Sequence, residues 1–314
     1  MRVVLHYDCG AWLEERIAGL AARGLTVTAC PEDDDARFAA LMAEADVLWH
    51  ILRPVTAADI AGAPRLRLVQ KIGVGVNTID LDACRERAIA VCNMPGTNTR
   101  AVAEMTLLLI LGAKRRIAAF DGALRERAAW RWPAERQAGL TEIAGSRVGL
   151  VGFGAVPRAL APVLAAMGAD VVYTGRRRVD DAPCPFLDKG ELLATSDVVS
   201  LHIPETPQTR GWLGAADIAA MKPGAVLVNT ARGGLVDEAA LVEALRTGHL
   251  AAAGLDVFAR EPVAPDNPLL SLENVVVAPH VAWFTRETLE RSLAVAVENC
   301  ERLAAGRDLL HRVA

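Results

Sequence analysis

Closely spaced cysteines are missing from this sequence. Its six cysteines are scattered over 314 residues, and none belongs to a CxxC motif. Zinc sites and disulfide frameworks depend on such spacings, so we expect neither a metal nor disulfides, and a reducing compartment fits the pattern. A long basic stretch is also missing, and the net charge of -4 argues against nucleic acid as a partner.

Segments for export or membrane insertion are not evident either. The N-terminal residues MRVVLHYD have neither the positive region nor the long apolar core of a signal peptide. The longest apolar run, MTLLLILGA, is too short to span a bilayer and is followed by three basic residues. The sequence therefore predicts a cytoplasmic protein with no membrane partner.

Alternating strand and helix patterns fill the rest of the chain. The hydrophobic fraction of 52% allows large cores, and 314 residues suggest two domains. Short apolar runs such as RVVLHY are typical of buried strands in parallel sheets. We predict an α/β protein with two Rossmann-like, doubly wound parallel-sheet domains and a cleft between them. A flavodoxin-like substrate-binding domain is expected at 1–98 plus 285–314, and a dinucleotide-binding domain at 99–284.

Three polar residues each follow an apolar run. Arg232 follows AVLVNT, Glu261 follows AAAGLDVF and His280 follows NVVVAP. Ligands of α/β sheets bind outside the carboxyl ends of the strands, so the three are expected around one crevice. Each alone could be a surface or loop residue. Together they suit reduction of a 2-keto acid, because a cation can hold the substrate, an imidazolium can deliver a proton, and a carboxylate can keep the imidazole protonated.

A glycine turn, GFGAVP at 152–157, directly follows the strand-like run VGLV. Gly152 would permit the tight turn, and Gly154 would let main-chain amides approach a pyrophosphate at the start of the next helix. Pro157 replaces the third glycine of the dinucleotide fingerprint, which a first helical turn tolerates. Pro162 is expected to kink the helix.

Arginines mark the end of the following strand. NAD-binding domains place an acidic residue there, whereas this chain has Arg176, Arg177 and Arg178. Arginine grips a phosphate with two parallel hydrogen bonds, so the pattern predicts NADP(H), with NAD(H) as the other possibility. A solvated basic loop is the plain alternative.

The longer motifs resemble the D-isomer-specific 2-hydroxyacid dehydrogenase family over nearly the whole chain. They are KIGVGVNTID, NMPGTNTRAVAEMTLLLI, LVGFGAVPRAL, LHIPETPQTRGWLG, MKPGAVLVNTARGGLVDEAALVEAL, AAAGLDVFAREP and NVVVAPHVAW. The tip Thr-Gly-Arg-Arg is similar to that of the family's NADPH-dependent glyoxylate and hydroxypyruvate reductases. Many phosphoglycerate dehydrogenases of the family continue beyond the position of Ala314, which is expected to distinguish this chain from them.

The resemblance implies a set of site residues. Arg232, Glu261 and His280 would be catalytic, and the amides of Val74 and Gly75 would bind the substrate carboxylate. Arg53, after a strand-like run, and Trp283, near His280, are further candidates for substrate contact, with a surface charge and a core tryptophan as alternatives. The candidate cofactor contacts are Gly152, Gly154, Ala155, Val156, Thr174, Arg176, Arg177, His202, Pro204, Thr209, Ala231 and Asp256.

The activity expected from these features is NADPH-dependent reduction of a small 2-keto acid such as glyoxylate or hydroxypyruvate to the D-2-hydroxy acid. The alternatives are a nucleotide-sensing binding protein of the corepressor type, or an NAD-dependent D-3-phosphoglycerate or D-lactate dehydrogenase. The apolar helix at 99–116 and the tryptophan-containing segment after it predict a homodimer across the nucleotide-binding domains.

Overall fold

The computed structural model describes residues 1–126 and 134–314. Its Cα positions group into two compact units, which are Met1–Asn98 with Thr285–Ala314, and Thr99–Phe284. Trp130 and Trp132, which belong to the apolar segment predicted to mediate dimerisation, lie outside the described residues.

The first unit contains a five-stranded sheet in which all strands are parallel. The strands are β1 Arg2–His6, β2 Thr26–Cys30, β3 Val47–His50, β4 Leu68–Lys71 and β5 Ala90–Cys92. The helices are α1 Ala11–Ala18, α2 Asp35–Met42, α3 Ala57–Ala61, α4 Leu81–Glu86 and the last helix of the chain, α11 Arg286–Ala304, with a 3-10 turn at Gly19–Arg23. The sheet order is β2-β1-β3-β4-β5, so the chain reverses direction across the sheet between β1 and β3.

The second unit contains a six-stranded, all-parallel sheet. The strands are β6 Arg147–Val151, β7 Asp170–Thr174, β8 Val198–Leu201, β9 Ala225–Asn229, β10 Leu250–Leu255 and β11 Val275–Val277. The helices are α5 Thr99–Arg115, α6 Ile117–Arg125, α7 Ala155–Ala166, α8 Lys189–Thr195, α9 Ala215–Ala219 and α10 Glu238–Arg246, with 3-10 turns at Ala134–Gly139, Gly233–Leu235 and Pro268–Ser271. The order β11-β10-β9-β8-β6-β7 places the reversal between β6 and β8.

The two sheets confirm the predicted fold class of two Rossmann-like parallel-sheet domains. Their central strands are buried from end to end, as the continuous apolar runs indicated; every residue of β3, β8 and β9 is buried. The helix α5 packs closely on the second sheet, because Gly254 of β10 has no side chain. A Cβ atom there would lie 2.8 Å from Cβ of Leu109.

Helix α6 lies just beyond the helix predicted at 99–116, where the sequence analysis expected no second helix. Arg116 adopts a left-handed conformation with φ of 49°, which ends α5 and allows a second helix to begin at Ile117. Helix α7 also runs on past Pro162 to Ala166, with Pro157 buried in its first turn.

Two features are absent from residues 1–126 and 134–314 of the chain. No helix in these ranges has the length and apolarity that crossing a bilayer requires. The same ranges contain no group of three or more histidine, cysteine, aspartate or glutamate side chains arranged to hold a metal ion.

Candidate active site

Three neighbouring strand ends bring the predicted trio to one edge of the second sheet. β9, β10 and β11 lie side by side and run parallel, so their carboxyl ends are adjacent. Arg232 follows the end of β9, Glu261 follows β10, and His280 follows β11. The sheet order, which the sequence does not reveal directly, therefore places three chemically complementary residues beside one another.

His280 and Glu261 form a direct pair. Nδ1 of His280 lies 2.6 Å from Oε2 of Glu261, and Oε1 of Glu261 accepts the Phe258 amide hydrogen bond at 3.0 Å. A carboxylate partner keeps a proton on Nδ1, where it forms the hydrogen bond between the two side chains, and it orients the ring. Within the described part of the chain, Nε2 of His280 makes no hydrogen bond, so it is the ring nitrogen that can pass a proton to a ligand.

The charge state of Glu261 is set by opposing influences. Burial alone would raise the pKa of this carboxyl group, but the hydrogen bond and charge of His280 outweigh it. The Phe258 amide and the charge of Arg232 act in the same direction, so the pKa of Glu261 is lowered. Glu261 is therefore ionised at neutral pH and stabilises a protonated imidazole beside it.

Asp256 holds the segment that carries His280. Its carboxylate accepts the amide hydrogen bonds of Val281 at 2.8 Å and Ala282 at 3.0 Å, and its main-chain oxygen accepts that of His280 at 2.7 Å. These bonds hold His280 in a left-handed conformation with φ of 55°, which costs a non-glycine residue about 1 kcal/mol. The indole of Trp283 adds a hydrogen bond to the His280 carbonyl at 3.0 Å.

The buried position of Asp256 affects its ionisation. Its side chain is completely buried, and this burial raises the pKa of Asp256 to about 6, against the opposing effects of the Ala282 and Val281 amides and of His280. The structure thus gives Asp256 a positioning task that sequence reasoning did not assign. Its predicted contact with the cofactor stays a prediction.

Asn229 was missed by sequence reasoning and fixes the loop of Arg232. Its side chain accepts from the Ala231 amide at 3.0 Å and donates to the Arg232 carbonyl at 2.9 Å, while being 1% exposed. Its signal in the sequence is a polar residue at the end of the apolar run AVLVN. Directly after this loop, Gly233 is required because a Cβ atom there would overlap the Phe258 carbonyl.

Arg232 itself is half-buried. Its guanidinium donates to the Ala231 carbonyl at 2.6 Å. Burial lowers the pKa of Arg232, and the charges of Glu261 and Glu205 oppose this change. An arginine held in such a place keeps its charge, because its ordinary pKa lies far above neutral pH.

The glycine turn lies at the reversal point of the second sheet, between β6 and β8. Gly152 has φ of 95°, and a Cβ atom there would lie 2.9 Å from the His202 carbonyl oxygen. Gly154 caps α7, and nothing lies within 4 Å of its would-be Cβ atom. The amides of Ala155 and Val156 begin the helix and have no intrahelical partners, which is the arrangement that binds phosphate groups. These residues fit a dinucleotide.

The arginine tip follows β7, which pairs with β6 beside the turn. Arg176 and Arg177 are exposed, and in the described ranges neither forms an ion pair or a side-chain hydrogen bond. The nearby carboxylate of Asp181 is already paired with Arg158 at 2.8 Å. Thr174 is buried at the strand end, and its carbonyl accepts the Gly152 amide at 2.8 Å. The tip therefore presents exposed cations, and the first carboxylate after them is that of the exposed Asp180.

The segment after β8 contains three more predicted contacts. Burial lowers the pKa of His202 to about 3, and its Nε2 lies 2.9 Å from the Ser200 hydroxyl. The Thr209 hydroxyl closes a turn by donating to the Pro204 carbonyl at 2.6 Å. These two hydrogen bonds thus fix the conformation of the segment that follows β8, beside the glycine turn.

The predicted substrate contacts of the first unit follow β3 and β4. The amides of Val74 and Gly75 donate no hydrogen bond to any residue in the described ranges, and Val74 is 45% exposed. Arg53 is instead tied to Asp35 at 2.5 Å and lies over the Phe38 ring. This ion pair makes a structural role for Arg53 the simpler interpretation.

Comparisons with known proteins agree with this geometry. Residues 107–282 match the model of the D-isomer specific 2-hydroxyacid dehydrogenase, NAD binding domain. The chain belongs to the D-isomer-specific 2-hydroxyacid dehydrogenase family. The resemblance noted from the motifs is thereby confirmed, and the matched NAD-binding region falls within the second unit.

Similar curated proteins carry different activity names. D-3-phosphoglycerate dehydrogenase of Mycobacterium tuberculosis is 41% identical over 280 residues, which cover 87% of this chain and 52% of that protein. A glyoxylate reductase of Aeropyrum pernix is 39% identical, covering 84% and 81%, and an (S)-sulfolactate dehydrogenase of Chromohalobacter salexigens is 40% identical, covering 88% and 91%. The chain spans about half the length of the phosphoglycerate dehydrogenases that it matches.

The fold is also similar to that of solved structures. The TT0316 protein of Thermus thermophilus superimposes with a TM-score of 0.90 at 39% identity, and the match covers 100% of both chains.

Proposed function

We propose that this protein reduces a small 2-keto acid to the D-2-hydroxy acid with NADPH. The observation that carries the proposal is the pairing of His280 with Glu261 at 2.6 Å, next to the strand end that bears Arg232. An oriented imidazole, its carboxylate partner and an arginine are the groups that reduction of a keto acid requires.

The bound nicotinamide nucleotide would supply the hydride. Arg232 would hold the substrate carboxylate and polarise the keto oxygen through its planar set of donors. His280 would donate a proton from Nε2 to that oxygen as negative charge develops on it. Glu261 would stabilise the protonated ring before this transfer, and Asp256 would keep His280 in place. That the amides of Val74 and Gly75 bind the substrate carboxylate stays a prediction.

The expected nucleotide is NADPH rather than NADH. Support comes from the exposed Arg176 and Arg177, which follow β7 beside the glycine turn. The 2′-phosphate of NADPH would find two cations there, while the carboxylate of Asp181 is occupied by Arg158. NADH has no group that these arginines would bind as strongly.

The expected substrate is small. Trp283 is half-buried and tied to the His280 carbonyl, so its indole stays close to the proposed proton donor. We propose that glyoxylate, hydroxypyruvate or pyruvate is preferred to phenylpyruvate. The names of the relatives add 3-phosphohydroxypyruvate and sulfopyruvate as the competing substrates to be tested.

The test is a steady-state assay of these keto acids with both nucleotides. The proposal predicts the highest kcat/KM for glyoxylate or hydroxypyruvate with NADPH. Turnover of the phosphorylated or sulfonated acid alone would assign the chain to the corresponding alternative. Tight NADPH binding with no turnover of any acid would support a nucleotide-sensing protein instead.

A double variant and a control test the preference for NADPH over NADH. Arg176→Ala/Arg177→Ala should lower kcat/KM for NADPH by about one to two decades and leave NADH within about threefold, because only NADPH offers the phosphate. Arg65→Ala/Arg85→Ala is a matched control, since these exposed arginines of the first unit are paired with Asp46 and Asp82. A wild-type preference for NADH, or an equal loss with both nucleotides, would contradict the proposal.

We further propose a two-fold homodimer in the cytoplasm. Apolar side chains on the second unit are unusually exposed: Leu108 is 60%, Ile117 54% and Leu124 52% exposed. Covering them in a symmetric pair would remove apolar surface from water. Light scattering at micromolar concentration should report twice the chain mass of 33.4 kDa, and a monomer would refute the dimer.

A further inference from the structure

A basic cavity lies at the amino ends of β4 and β5 in the first unit. It has a volume of about 650 Å³ and is lined by residues just before these strands and by the segment after α11. Ligands of a parallel sheet bind at the opposite, carboxyl edge, so the sheet architecture does not account for this cavity. Its size falls within the range of small-molecule sites.

Four arginines dominate the lining. Arg67 precedes β4, Arg87 precedes β5, and Arg307 and Arg312 follow α11; Asp308 is the single acidic residue among the described residues that line the cavity. Among the side chains that the structure describes, no carboxylate lies within 4.0 Å of any of these four guanidinium groups. The neighbouring arginines outside the cavity differ, because Arg65 is paired with Asp46 and Arg85 with Asp82.

Main-chain oxygens hold three of the four arginines in place. Arg87 donates to the carbonyls of Ile60 and Ala63, the latter at 3.2 Å. Arg67 donates to the Leu303 carbonyl at 3.5 Å, and Arg312 to the Ala314 oxygen at 2.8 Å. A guanidinium has five N–H donors, so each keeps several for a ligand. The carbonyl oxygens orient Arg67 and Arg87 without neutralising their charge.

We propose that this cavity binds a small anion with two or more phosphate or carboxylate groups. The four arginines are exposed and repel each other across the cavity, and an anion with several charged groups would offset this repulsion and use their planar donors. The apolar floor, formed by the buried Leu66 and Ala90, leaves room for a short carbon skeleton. The site is separate from the proposed reaction, and its test uses no activity measurement.

The test is calorimetric titration of the full chain, without nucleotide or keto acid, with inorganic pyrophosphate and with citrate in separate runs. We expect saturable binding of at least one probe with one site per chain, weakening as ionic strength rises. Binding of pyrophosphate alone identifies phosphate chemistry, and binding of citrate alone identifies carboxylate chemistry. Failure of both probes to bind would overturn the proposal and leave the proposed dehydrogenase function untouched.

Variants locate the binding. Arg67→Gln/Arg307→Gln should raise the Kd of the bound probe about tenfold or more, because two charge-assisted contacts are lost. The matched control Arg65→Gln/Arg85→Gln removes the same charge outside the cavity and should change the Kd by no more than about twofold. Arg87 is left unchanged because it donates hydrogen bonds to the carbonyls of both Ile60 and Ala63, and their loss could destabilise the fold.

Two results would contradict this location. Equal weakening by both double variants would indicate general electrostatic attraction. Loss of binding in Arg176→Ala/Arg177→Ala would place the anion at the predicted nucleotide site. If Arg67→Gln/Arg307→Gln does not fold, Arg307→Gln alone, whose side chain has no hydrogen bond to a described residue, repeats the titration under the same criteria.

Discussion

Histidines stand at or just past the carboxyl ends of strands in both units, yet their surroundings differ. In the first unit, His6 ends β1 and His50 ends β3, where that sheet reverses direction. Both side chains are completely buried, whereas the side chain of His280 in the second unit is 21% exposed. The same sequence signal, a histidine after an apolar run, therefore leads to two kinds of environment.

The environment in the first unit favours neutral imidazoles. Burial lowers the pKa of His6 to about 4, with a further contribution from the charge of Arg53, and the ring stacks on Phe38 at 3.9 Å. Burial, followed by the charge of Lys71, lowers the pKa of His50 as well. Neither ring is hydrogen-bonded to a carboxylate of any described residue.

In the second unit, by contrast, a carboxylate faces the imidazole of His280. Glu261 lies 2.6 Å from the ring of His280 and is itself held ionised. What separates the proposed acid His280 from the two buried histidines is therefore its carboxylate partner and its exposure, and not its position after a strand.

The largest effect is expected for His280→Ala. Turnover should fall by about two to four decades, the usual loss when a general acid is removed. The control is His249→Gln in the same unit, because the His249 ring is hydrogen-bonded to the Ile218 carbonyl at 2.9 Å and lies outside the candidate site. Near-native kcat in His280→Ala would show that another group delivers the proton.

Asp256→Asn should have the next largest effect. An amide can accept only one of the two hydrogen bonds from Val281 and Ala282, so its NH2 group would face an N–H donor. We expect kcat to fall by about one to two decades and stability by about 1–3 kcal/mol, from one unsatisfied buried group. A role in nucleotide contact alone would instead raise the KM for the nucleotide while leaving kcat unchanged.

Glu261→Gln should shift the pH profile of kcat/KM for reduction more than it lowers the maximum rate. Glutamine keeps a hydrogen-bond acceptor but removes the charge that stabilises the imidazolium. The alkaline limb of kcat/KM for reduction should move to lower pH by about one unit, a modest value because the pair is partly exposed. An unchanged limb would mean that Glu261 only orients the ring. Glu261→Asp is the informative second variant, since it keeps the charge at a shorter reach.

The smallest effect on turnover is expected in the first unit. The pKa of His6 is lowered from 6.5 to about 4, so its contribution to stability is present above pH 6.5 and is lost as the pH falls towards 4. The loss is at most about 3 kcal/mol. His6→Gln should flatten this decline in denaturant unfolding and leave kcat within about twofold, as a packing residue would.

The ionisation of Asp256 should change the stability in the opposite direction over nearly the same pH range. Its pKa is raised from 3.8 to about 6, so the stability it contributes is present below pH 3.8 and is lost as the pH rises through 6. Amide hydrogen exchange followed separately in the two units can show whether the stability of each unit rises or falls with pH. Parallel pH dependence of both units would contradict the comparison.

Sequence patterns were sufficient for the fold class and for the residues that follow the strands. Buried strands of parallel sheets are mostly apolar, so the runs AVLV and VVSL, which belong to the fully buried β9 and β8, are visible without coordinates. The glycine turn was visible because Gly152 has a conformation that other residues rarely adopt. Helix α6 was not visible, since the left-handed Arg116 that separates it from α5 has no strong sequence signature.

The sequence by itself determined which groups are available: Arg232, Glu261, His280, the glycine turn and the arginines after β7. Only the tertiary structure decided which of them meet, because the order of the strands sets which carboxyl ends are neighbours. It also decided that Asp256 and Asn229 position the site, since their hydrogen bonds join segments that are distant in the chain or lie in irregular loops. Burial likewise separated His6 and His50 from His280, because the cost of charging an imidazole depends on the atoms packed around it and not on its neighbours in sequence.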